Sequence, residues 1–564
     1  MPILIAVFAL LLVSQFFLYK NKQNQKPAET QQAQSANGSP EQAKPAETSA
    51  EPPAAANLPA KAASTESDIA VENDLYKVTF TNRGAQVKSW VLKKYKDERG
   101  NPLDLVNHAT ANFGLPLSLF TYDAGLRDKI NSGLYVASAP GNVTVPGEVS
   151  FEFSDGTTSV RKTFRFDDSY VMTIETAVTV DGKPVQAYPS WPAGFGDQGT
   201  SPSWASARID YYAGDKVERL AAKKISGGNT LPGPIQWAGP QDQYFAAIFL
   251  PDLPDKAAMV TLHTTTQVPK NPEHPDPNNL TKVDVLGAAV GDVDGTTKER
   301  IFVGPKALDV LESVHANQLN GEPGGPDLRN AVDFGFFKLI ARPLFLWLRW
   351  TQEHISPNWG WSIIILTVII NIALLPLRIL SMKSALKMQK LQPQMKAIQE
   401  KYKKYPMRDP RRAEMNTEIS ALYKEHGANP VGGCLPLVIQ MPFLFAFYSM
   451  LGVAIELRQA PFLWLKDLSS PDKLFILPVL IVLSTLFVQK MTPNAGMDPA
   501  QQRMMTFMMP AMLGFFSWSL ASGLSLYWVV GNVIAIIQQY VMNRTGLGKE
   551  MRAEMQKRAR KAAK

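Results

Sequence analysis

Polar residues with helical spacing interrupt an apolar segment, residues 359–380, in the second half of the chain. Thr367, Asn371 and Arg378 are four and seven positions apart, so on an α-helix they lie within about 40° of one another. Polar groups inside a bilayer normally face protein or a water-filled cavity. We therefore interpret them as candidate contacts for a polar ligand inside a helical bundle. Arg378 also fits a side chain that reaches the membrane surface.

Further polar residues lie in other apolar segments. Gln440 lies in the apolar segment 431–456 and Ser517 in the segment 504–521. Ser525 and Asn532, seven residues apart, lie in the last apolar segment, 524–542. Each could simply hydrogen-bond to a neighbouring helix. Because several spans contribute such groups, the sequence favours a bundle with a hydrated interior.

Several kinds of chemistry lack a sequence signal. No metal-ligand cluster, nucleophile elbow or phosphate loop is recognisable, and Glu456 is the one acidic residue in a predicted span. We expect no catalytic residue, no cofactor and no metal site, and hence a protein that is not an enzyme. A small-molecule transporter would favour embedded acids or inverted repeats. A membrane-tethered enzyme with a dispersed site is the other rival.

Charge divides the 564 residues into unlike parts. Residues 57–330 carry 26 basic and 33 acidic side chains, whereas residues 331–564 carry 28 basic and 13 acidic ones. The excess of positive charge surrounds the apolar segments, where it indicates topology rather than nucleic-acid binding. The single cysteine, Cys434, excludes an intramolecular disulfide.

Hydropathy and composition predict a multi-domain membrane protein with an α-helical polytopic bundle and a large all-β sandwich outside the cytoplasm. The predicted parts are an N-terminal transmembrane anchor at 1–19, a disordered extracytoplasmic linker at 20–66, the β-sandwich at 67–330, an interfacial amphipathic helix at 331–357, a five-helix core at 358–543 and a basic tail at 544–564.

Topology follows from the basic loops. Five predicted spans follow the anchor, at 359–380, 431–456, 474–489, 504–521 and 524–542. With the anchor, the chain has six predicted spans. The 383–430 loop has eleven basic and five acidic residues, and the 544–564 tail has eight and two. Both should be cytoplasmic. Alternation then puts both termini inside and the β domain outside.

The 383–428 stretch predicts a cytoplasmic hairpin of two amphipathic helices with a break near residues 406–410. Its basic candidates are Lys383, Lys387, Lys390, Arg411 and Arg412. These side chains either remain solvated or recruit a partner or anionic lipid.

Helix-breaking and small residues are concentrated where the third span begins. They are Asn429, Pro430, Gly432, Gly433, Pro436 and Pro442, with Pro376 in the second span. Asn429-Pro-x-Gly-Gly-Cys-x-Pro436 followed by Gln440-Met-Pro442 resembles the third-span motif of the YidC/Oxa/Alb family of membrane protein insertases. The resemblance covers residues 333–543 closely. The N-terminal span and β domain are similar to the long form found in Gram-negative inner membranes.

The resemblance implies a five-helix core around a hydrophilic groove, open to the cytoplasm and the lipid. It also implies nascent membrane proteins as substrates, contacted in the last span by Tyr527 and Trp528. The Sec translocon, membrane lipids and, through the hairpin and basic tail, the ribosome are the expected partners. The alternative is an obligate Sec-associated membrane chaperone that lacks autonomous insertase activity.

One position departs from the family pattern. The family places an arginine in the second span where this chain has Asn371. An arginine attracts acidic substrate tails, whereas an asparagine offers only hydrogen bonds. We hypothesise that Arg378 supplies the charge from nearer the cytoplasm, or that the charge is dispensable.

Overall fold

The protein is described by a computed structural model over residues 59–97, 99–139, 141–198, 206–270, 276–319, 322–406, 409–428, 435–491, 499–546, 548–550 and 553. The predicted anchor at 1–19 and most of the predicted linker and basic tail lie outside these residues.

The first half of the described chain is rich in strands. They are β1 Asp68–Glu72, β2 Tyr76–Thr81, β3 Gln86–Lys96, β4 Pro102–Asp104, β5 Leu119–Phe120, β6 Val136–Ala137, β7 Gly141–Thr144, β8 Gly147–Ser154, β9 Thr158–Phe166, β10 Val171–Val180, β11 Lys183–Pro184, β12 Tyr188–Trp191, β13 Arg208–Ala213, β14 Lys216–Ala221, β15 Thr230–Pro232, β16 Trp237–Gln241, β17 Phe245–Pro251, β18 Ala257–Pro269, β19 Leu280–Asp292, β20 Thr296–Pro305, β21 His315–Leu319 and β22 Glu322–Asp327.

These strands form three large sheets and a small one. A ten-stranded sheet has the order β14-β13-β16-β17-β20-β10-β9-β8-β6, with β11 beside β10. Two five-stranded sheets have the orders β4-β3-β2-β1-β7 and β15-β18-β19-β12-β5, and β21 pairs with β22. Neighbours are antiparallel except β1 and β7. The prediction of a large β-rich domain is confirmed.

Local sequence explains much of this pairing. The predicted hairpin around Asp155-Gly156 joins β8 to β9, and Gly156 adopts a positive φ of 96° there. Strand β10 ends before Asp181-Gly182, as predicted, and both residues have positive φ. Asp-Gly fits such turns because glycine reaches positive φ without a steric penalty.

Aromatic side chains join the sheets into one core. The buried Phe80 ring of β2 lies 4.9 Å from the Phe164 ring of β9 and 5.8 Å from the Phe151 ring of β8. The Trp90 ring of β3 lies 6.1 Å from the Trp191 ring of β12. Burial of such rings dominates core energetics, so the alternating pattern of each strand decides which face turns inward.

The helices follow in the second half, after two in the β domain. They are α1 Ala124–Ser132, α2 Leu308–Glu312, α3 Lys338–His354, α4 Trp359–Ala373, α5 Leu375–Tyr402, α6 Arg411–Glu425, α7 Leu435–Val453, α8 Ile476–Met491, α9 Pro499–Ser517 and α10 Ser522–Arg544.

The predicted span 359–380 is divided between two helices. Helix α4 ends at Ala373 and α5 begins at Leu375, with a bend of 47° between them. Pro376 stands in the first turn of α5. Proline tolerates the first turn of a helix, but its ring and missing N–H disrupt a continuous one, so the break falls just before it. Helix α5 then runs on without interruption into the predicted hairpin.

Length and apolarity identify few spans by themselves. Within the described residues, α10 alone is long and apolar enough to cross a bilayer, and the bent pair α4–α5 passes the same test together. Three shorter apolar stretches are Gln440–Val453, Ile476–Met491 and Met504–Ser517. The number of six spans stays a prediction.

A charged network fixes the connection between the β domain and α3. Arg208 and Arg219 contact the fully buried Asp210 at 3.0 and 3.4 Å, and both approach Asp333 at 3.5 Å. Burial raises the pKa of Asp210 to about 6, although the two arginines favour its charged form. The chain therefore leaves the domain through a cluster of paired charges.

Candidate functional site

Arg378, Asn371 and Thr367 are linked by a chain of hydrogen bonds that runs through a residue of α10. Arg378 Nη1 donates to Gln538 Oε1 at 2.6 Å, and Gln538 Nε2 donates to the Asn371 carbonyl oxygen at 3.3 Å. The structure thus brings Arg378 and Asn371 together around Gln538. Arg378 belongs to α5, Asn371 to α4 and Gln538 to α10.

The side chains of Thr367 and Asn371 bond within their own helix. Thr367 Oγ1 donates to the Ile363 carbonyl at 2.6 Å, and Asn371 Nδ2 donates to the Thr367 carbonyl at 2.8 Å. Both are buried, with 0 % and 2 % of their surface exposed. Their donors are therefore satisfied locally, and Arg378, which is half-buried, is the more accessible member of the predicted set.

Asn532 faces a different neighbour. Its Nδ2 lies 2.9 Å from both Ser484 Oγ and Thr485 Oγ1 of α8. An amide that meets two hydroxyls satisfies polar groups inside an apolar helix pair. The predicted polar residues of the last span therefore do not all line one surface.

Tyr527 packs against α7. Its ring stacks on Phe447 with centroids 4.2 Å apart and an interplanar angle of 18°. Gln440 approaches the Tyr527 hydroxyl, although the two form no hydrogen bond of good geometry. Tyr527 is buried, whereas its neighbour Trp528 is half-buried.

The two predicted serines are buried near the ends of their helices. Ser517 Oγ donates to the Gly514 carbonyl at 2.8 Å, close to the last residue of α9. Ser525 lies in the first turn of α10 and is 1 % exposed. Neither lies in the hydrogen-bonded chain around Gln538.

Helices α5 and α6 are held together by contacts that involve the last eight residues of α5. Lys401 Nζ and Tyr402 Oη meet Glu418 Oε1 at 2.6 and 2.9 Å, and Tyr423 Oη contacts Met395 Sδ at 2.8 Å. Opposite charges and an aromatic contact thus tie the two helices together. Helix α5 ends at Tyr402 and α6 begins at Arg411.

The five basic residues predicted for the hairpin are mostly exposed. Lys387 donates to the Gly427 carbonyl at 3.2 Å, and Lys390 pairs with Glu550 near the end of the described chain. Arg411 pairs with Asp409 at 3.0 Å, and Arg412 donates to the Tyr405 carbonyl at 2.9 Å. Lys383 is exposed beside them. They are distributed along the hairpin rather than gathered into one patch.

Of the motif residues at the start of the third span, Pro436 stands in the first turn of α7 and Pro442 stands inside it. Asn429, Pro430, Gly432 and Gly433 lie outside the described residues. Their predicted structural role stays a prediction.

Sequence reasoning missed Gln538 and the partners of Asn532. A seven-residue spacing from Ser525 and Asn532 points to Gln539, which bonds instead to Asn543 on its own helix at 3.0 Å. Gln538 turns about 120° away from Asn532 on the helix, toward α4. No pattern within α10 gives the position of α4. In the part of the chain that the structure describes, no group of three or more His, Cys, Asp or Glu side chains could hold a metal ion.

Comparison with known proteins covers nearly all the described chain. The family model of the YidC periplasmic domain matches residues 68–347, and that of the 60Kd inner membrane protein matches residues 350–549. The membrane protein insertase YidC of Geobacter sulfurreducens is 35% identical over an alignment of 491 positions, gaps included, which covers 83% of this chain and 85% of that protein. The membrane protein insertase YidC of Syntrophus aciditrophicus is 30% identical over an alignment of 577 positions, gaps included, which covers 95% of this chain and 97% of that protein.

A solved structure described as an active YidC insertase with its first transmembrane domain resolved covers 86% of this chain at 19% identity, with a TM-score of 0.35. Family membership is shown by the sequence relatives and by the two family models, which match residues 68–347 and 350–549. The chain belongs to the family of the membrane protein insertase YidC.

Proposed function

We propose that this protein inserts nascent membrane proteins into the bacterial inner membrane and helps them to fold. The observation that carries the proposal is the hydrogen-bonded chain from Asn371 through Gln538 to Arg378, which joins three helices. Among the described residues, no carboxylate forms an ion pair with Arg378. Its remaining guanidinium N–H groups are therefore available to the polar tail of a substrate.

The physical logic concerns the cost of moving polar peptide through hydrocarbon. Transferring a peptide group from water to hydrocarbon without a hydrogen-bond partner costs roughly 4–8 kcal/mol on an alkane transfer scale. Hydrogen-bonding groups at the Arg378 site lower that cost for the polar tail. The apolar part of the substrate then moves sideways into lipid from a groove that opens to the cytoplasm and the bilayer.

A short helix supports the same reading. Helix α8 has 16 residues, about 24 Å of helix, against a hydrocarbon core of about 30 Å. A mismatch of this size favours local thinning of the bilayer. A thinner bilayer shortens the path that a polar tail must cross.

In the proposed topology the β domain lies in the periplasm and both termini are cytoplasmic. Helix α3 lies along the periplasmic surface of the inner membrane. Helix α3 supports this because two opposite faces are apolar. One packs Ala341, Phe345 and Leu348 into the protein, while Leu339 and Trp347 are 86 % and 56 % exposed. A membrane interface accommodates the second face.

The cytoplasmic hairpin and the tail are the proposed contacts for partners. The exposed Lys383, Lys387 and Lys390 can meet the ribosome or anionic lipid through phosphate groups. The Sec translocon is a further proposed partner, for substrates too long or too polar to pass alone.

Reconstitution of the purified full-length chain into protein-free liposomes tests the proposal. A short single-spanning substrate is added, and insertion is measured as protection from protease. We expect protection well above empty liposomes, and its loss when residues 383–428 are deleted. Circular dichroism and thermal unfolding must first show that the deletion variant is folded.

Absence of protection with a folded full-length chain would contradict autonomous insertion. It would favour a chaperone that acts only beside the Sec channel. Adding purified Sec translocon to the same liposomes then separates the two functions, because only the chaperone would need it.

A further inference from the structure

A pocket lies where the β domain meets the end of α7. Its volume is about 400 Å³, and its wall includes Lys94, Tyr95 and Lys96 at the end of β3 and Glu456, Arg458 and Gln459 after α7. A pocket of this size accommodates a small molecule or the head of a larger one.

Hydrogen bonds and ring contacts hold the two walls together. Gln459 Nε2 donates to the carbonyl oxygens of Lys96 and Asp97 at 3.1 and 3.0 Å. The Arg458 guanidinium lies 5.6 Å from the Phe245 ring and 5.9 Å from the Tyr244 ring. The position of the Arg458 charge is therefore set before any ligand arrives.

The lysines of β3 differ in their partners. Lys88 pairs with Asp68 at 2.8 Å and Lys93 pairs with Glu72 at 2.9 Å. Within the described residues, neither Lys94 nor Lys96 forms an ion pair, and both are exposed. Two of the four basic side chains on the strand are thus neutralised, and the other two border the pocket.

The acidic side chains nearby are fewer than the basic ones. Glu456 is the one acidic residue that lines the pocket, against Lys94, Lys96 and Arg458. The neighbouring Asp97 carboxylate accepts hydrogen bonds from the backbone N–H groups of Arg99 and Asn101 at 2.9 and 2.8 Å, and among the described residues it forms no ion pair with Lys94 or Lys96. The residues that line the pocket therefore carry a net positive charge.

The pocket lies beside groups suited to a membrane surface. Glu456 follows the last residue of α7 by three positions. Five residues after Arg458, Leu463 forms the tip of a tight turn and is 72 % exposed, and Trp361 at the start of α4 is 51 % exposed. Exposed tryptophan and leucine at a helix end are typical of the membrane–water interface.

We propose that Lys94, Lys96 and Arg458 bind the phosphate of an anionic phospholipid in the outer leaflet. This rests on the topology in the proposed function, which puts the end of α7 at that leaflet. The phosphodiester meets the three cations, and the acyl chains continue along the apolar surface near Leu463. A lipid held there would join the β domain, the α7 end and the bilayer.

Lipid retention by the purified full-length chain tests this. The protein is incorporated into nanodiscs that contain phosphatidylcholine and phosphatidylglycerol, and bound lipid is counted by native mass spectrometry after mild delipidation. We expect preferential retention of phosphatidylglycerol, weakened roughly thirty-fold in Lys94→Gln/Lys96→Gln, as two basic side chains at a membrane surface predict. The matched control, Lys88→Gln/Lys93→Gln, removes the same charge from the same strand outside the pocket and should retain the lipid.

Equal loss in both double variants would overturn the proposal, because it would indicate general surface charge. Equal retention of both lipids by the unmodified chain would do the same. Displacement by inorganic phosphate at low concentration would assign the pocket to a soluble anion instead of a lipid. No substrate is present in these measurements, so their failure leaves the insertase proposal to its own test.

Discussion

Arg378 Nη1 donates a hydrogen bond to Gln538 Oε1 at 2.6 Å, although 160 residues separate the two along the chain. Gln538 is held in turn by its bond to the Asn371 carbonyl. The last helix therefore orients the guanidinium of Arg378. Asn371 contributes a backbone oxygen to the same arrangement.

Replacing Arg378 should impair insertion of acidic substrates selectively. We expect Arg378→Ala to lower insertion of an acidic-tailed substrate by about tenfold, since a hydrogen bond to a charged group contributes roughly 1.5–3 kcal/mol. A neutral-tailed substrate should lose far less. Protease protection of both substrates in the same liposomes measures the difference.

Two further variants make the Arg378 test specific. Lys396→Ala removes an exposed charge about five turns farther along α5 and should leave both substrates unaffected. Gln538→Leu keeps the charge but removes its orienting partner, so it should give a smaller loss of the same selectivity. An equal loss for both substrates in Arg378→Ala would remove Arg378 from the mechanism.

Asn532 should be energetically coupled to Ser484 and Thr485, which it contacts. Asn532→Leu leaves two hydroxyls without their partner, and we expect a loss of about 1 kcal/mol in unfolding free energy. The triple variant Asn532→Leu/Ser484→Ala/Thr485→Val should regain part of it. Reversible unfolding in detergent gives the coupling energy, and strictly additive losses would contradict a direct interaction.

A methyl group at the position of Gly360 should disrupt the N-terminal end of α4. A Cβ there would lie 2.1 Å from Cδ2 of Phe462, which is buried. We expect Gly360→Ala to cost about 1–3 kcal/mol through overpacking. Gly531→Ala in α10, where a Cβ meets nothing within 4 Å, is the matched control and should not destabilise. Thermal unfolding of both variants measures the difference. A lower melting temperature in Gly360→Ala alone indicates a clash with Phe462, whereas equal changes in both variants indicate a general effect of alanine on helix stability.

Local chemistry made several elements predictable. The Asp155-Gly156 turn predicts the β8–β9 hairpin because glycine reaches positive φ freely. The alternating residues before Asp181 predict β10, and the mixed apolar and basic residues around Arg342 predict an amphipathic helix at the end of the β domain. Its observed start at Lys338 lies seven residues after the predicted boundary, because Gly335 adopts a positive φ of 67°, which a right-handed helix does not allow.

Three features depended on distant residues. Gln538 was not recognisable because its role depends on the position of α4, which no spacing within α10 encodes. Asn532 was assigned to one polar stripe with Ser525, yet the neighbouring α8 provides its partners. The pocket beside Lys94 needs the segment after α7, more than 350 residues later, to complete its wall.

The sequence by itself determined the division into a β-rich half and a helical half, the turns that close its hairpins, the basic hairpin and the family. These depend on spacing and composition over a few residues, where backbone geometry and hydropathy act directly. Only the tertiary structure decided which polar side chains meet. A hydrogen bond depends on distance and angle between two groups, and helix packing, not sequence separation, sets those for Arg378 and Gln538.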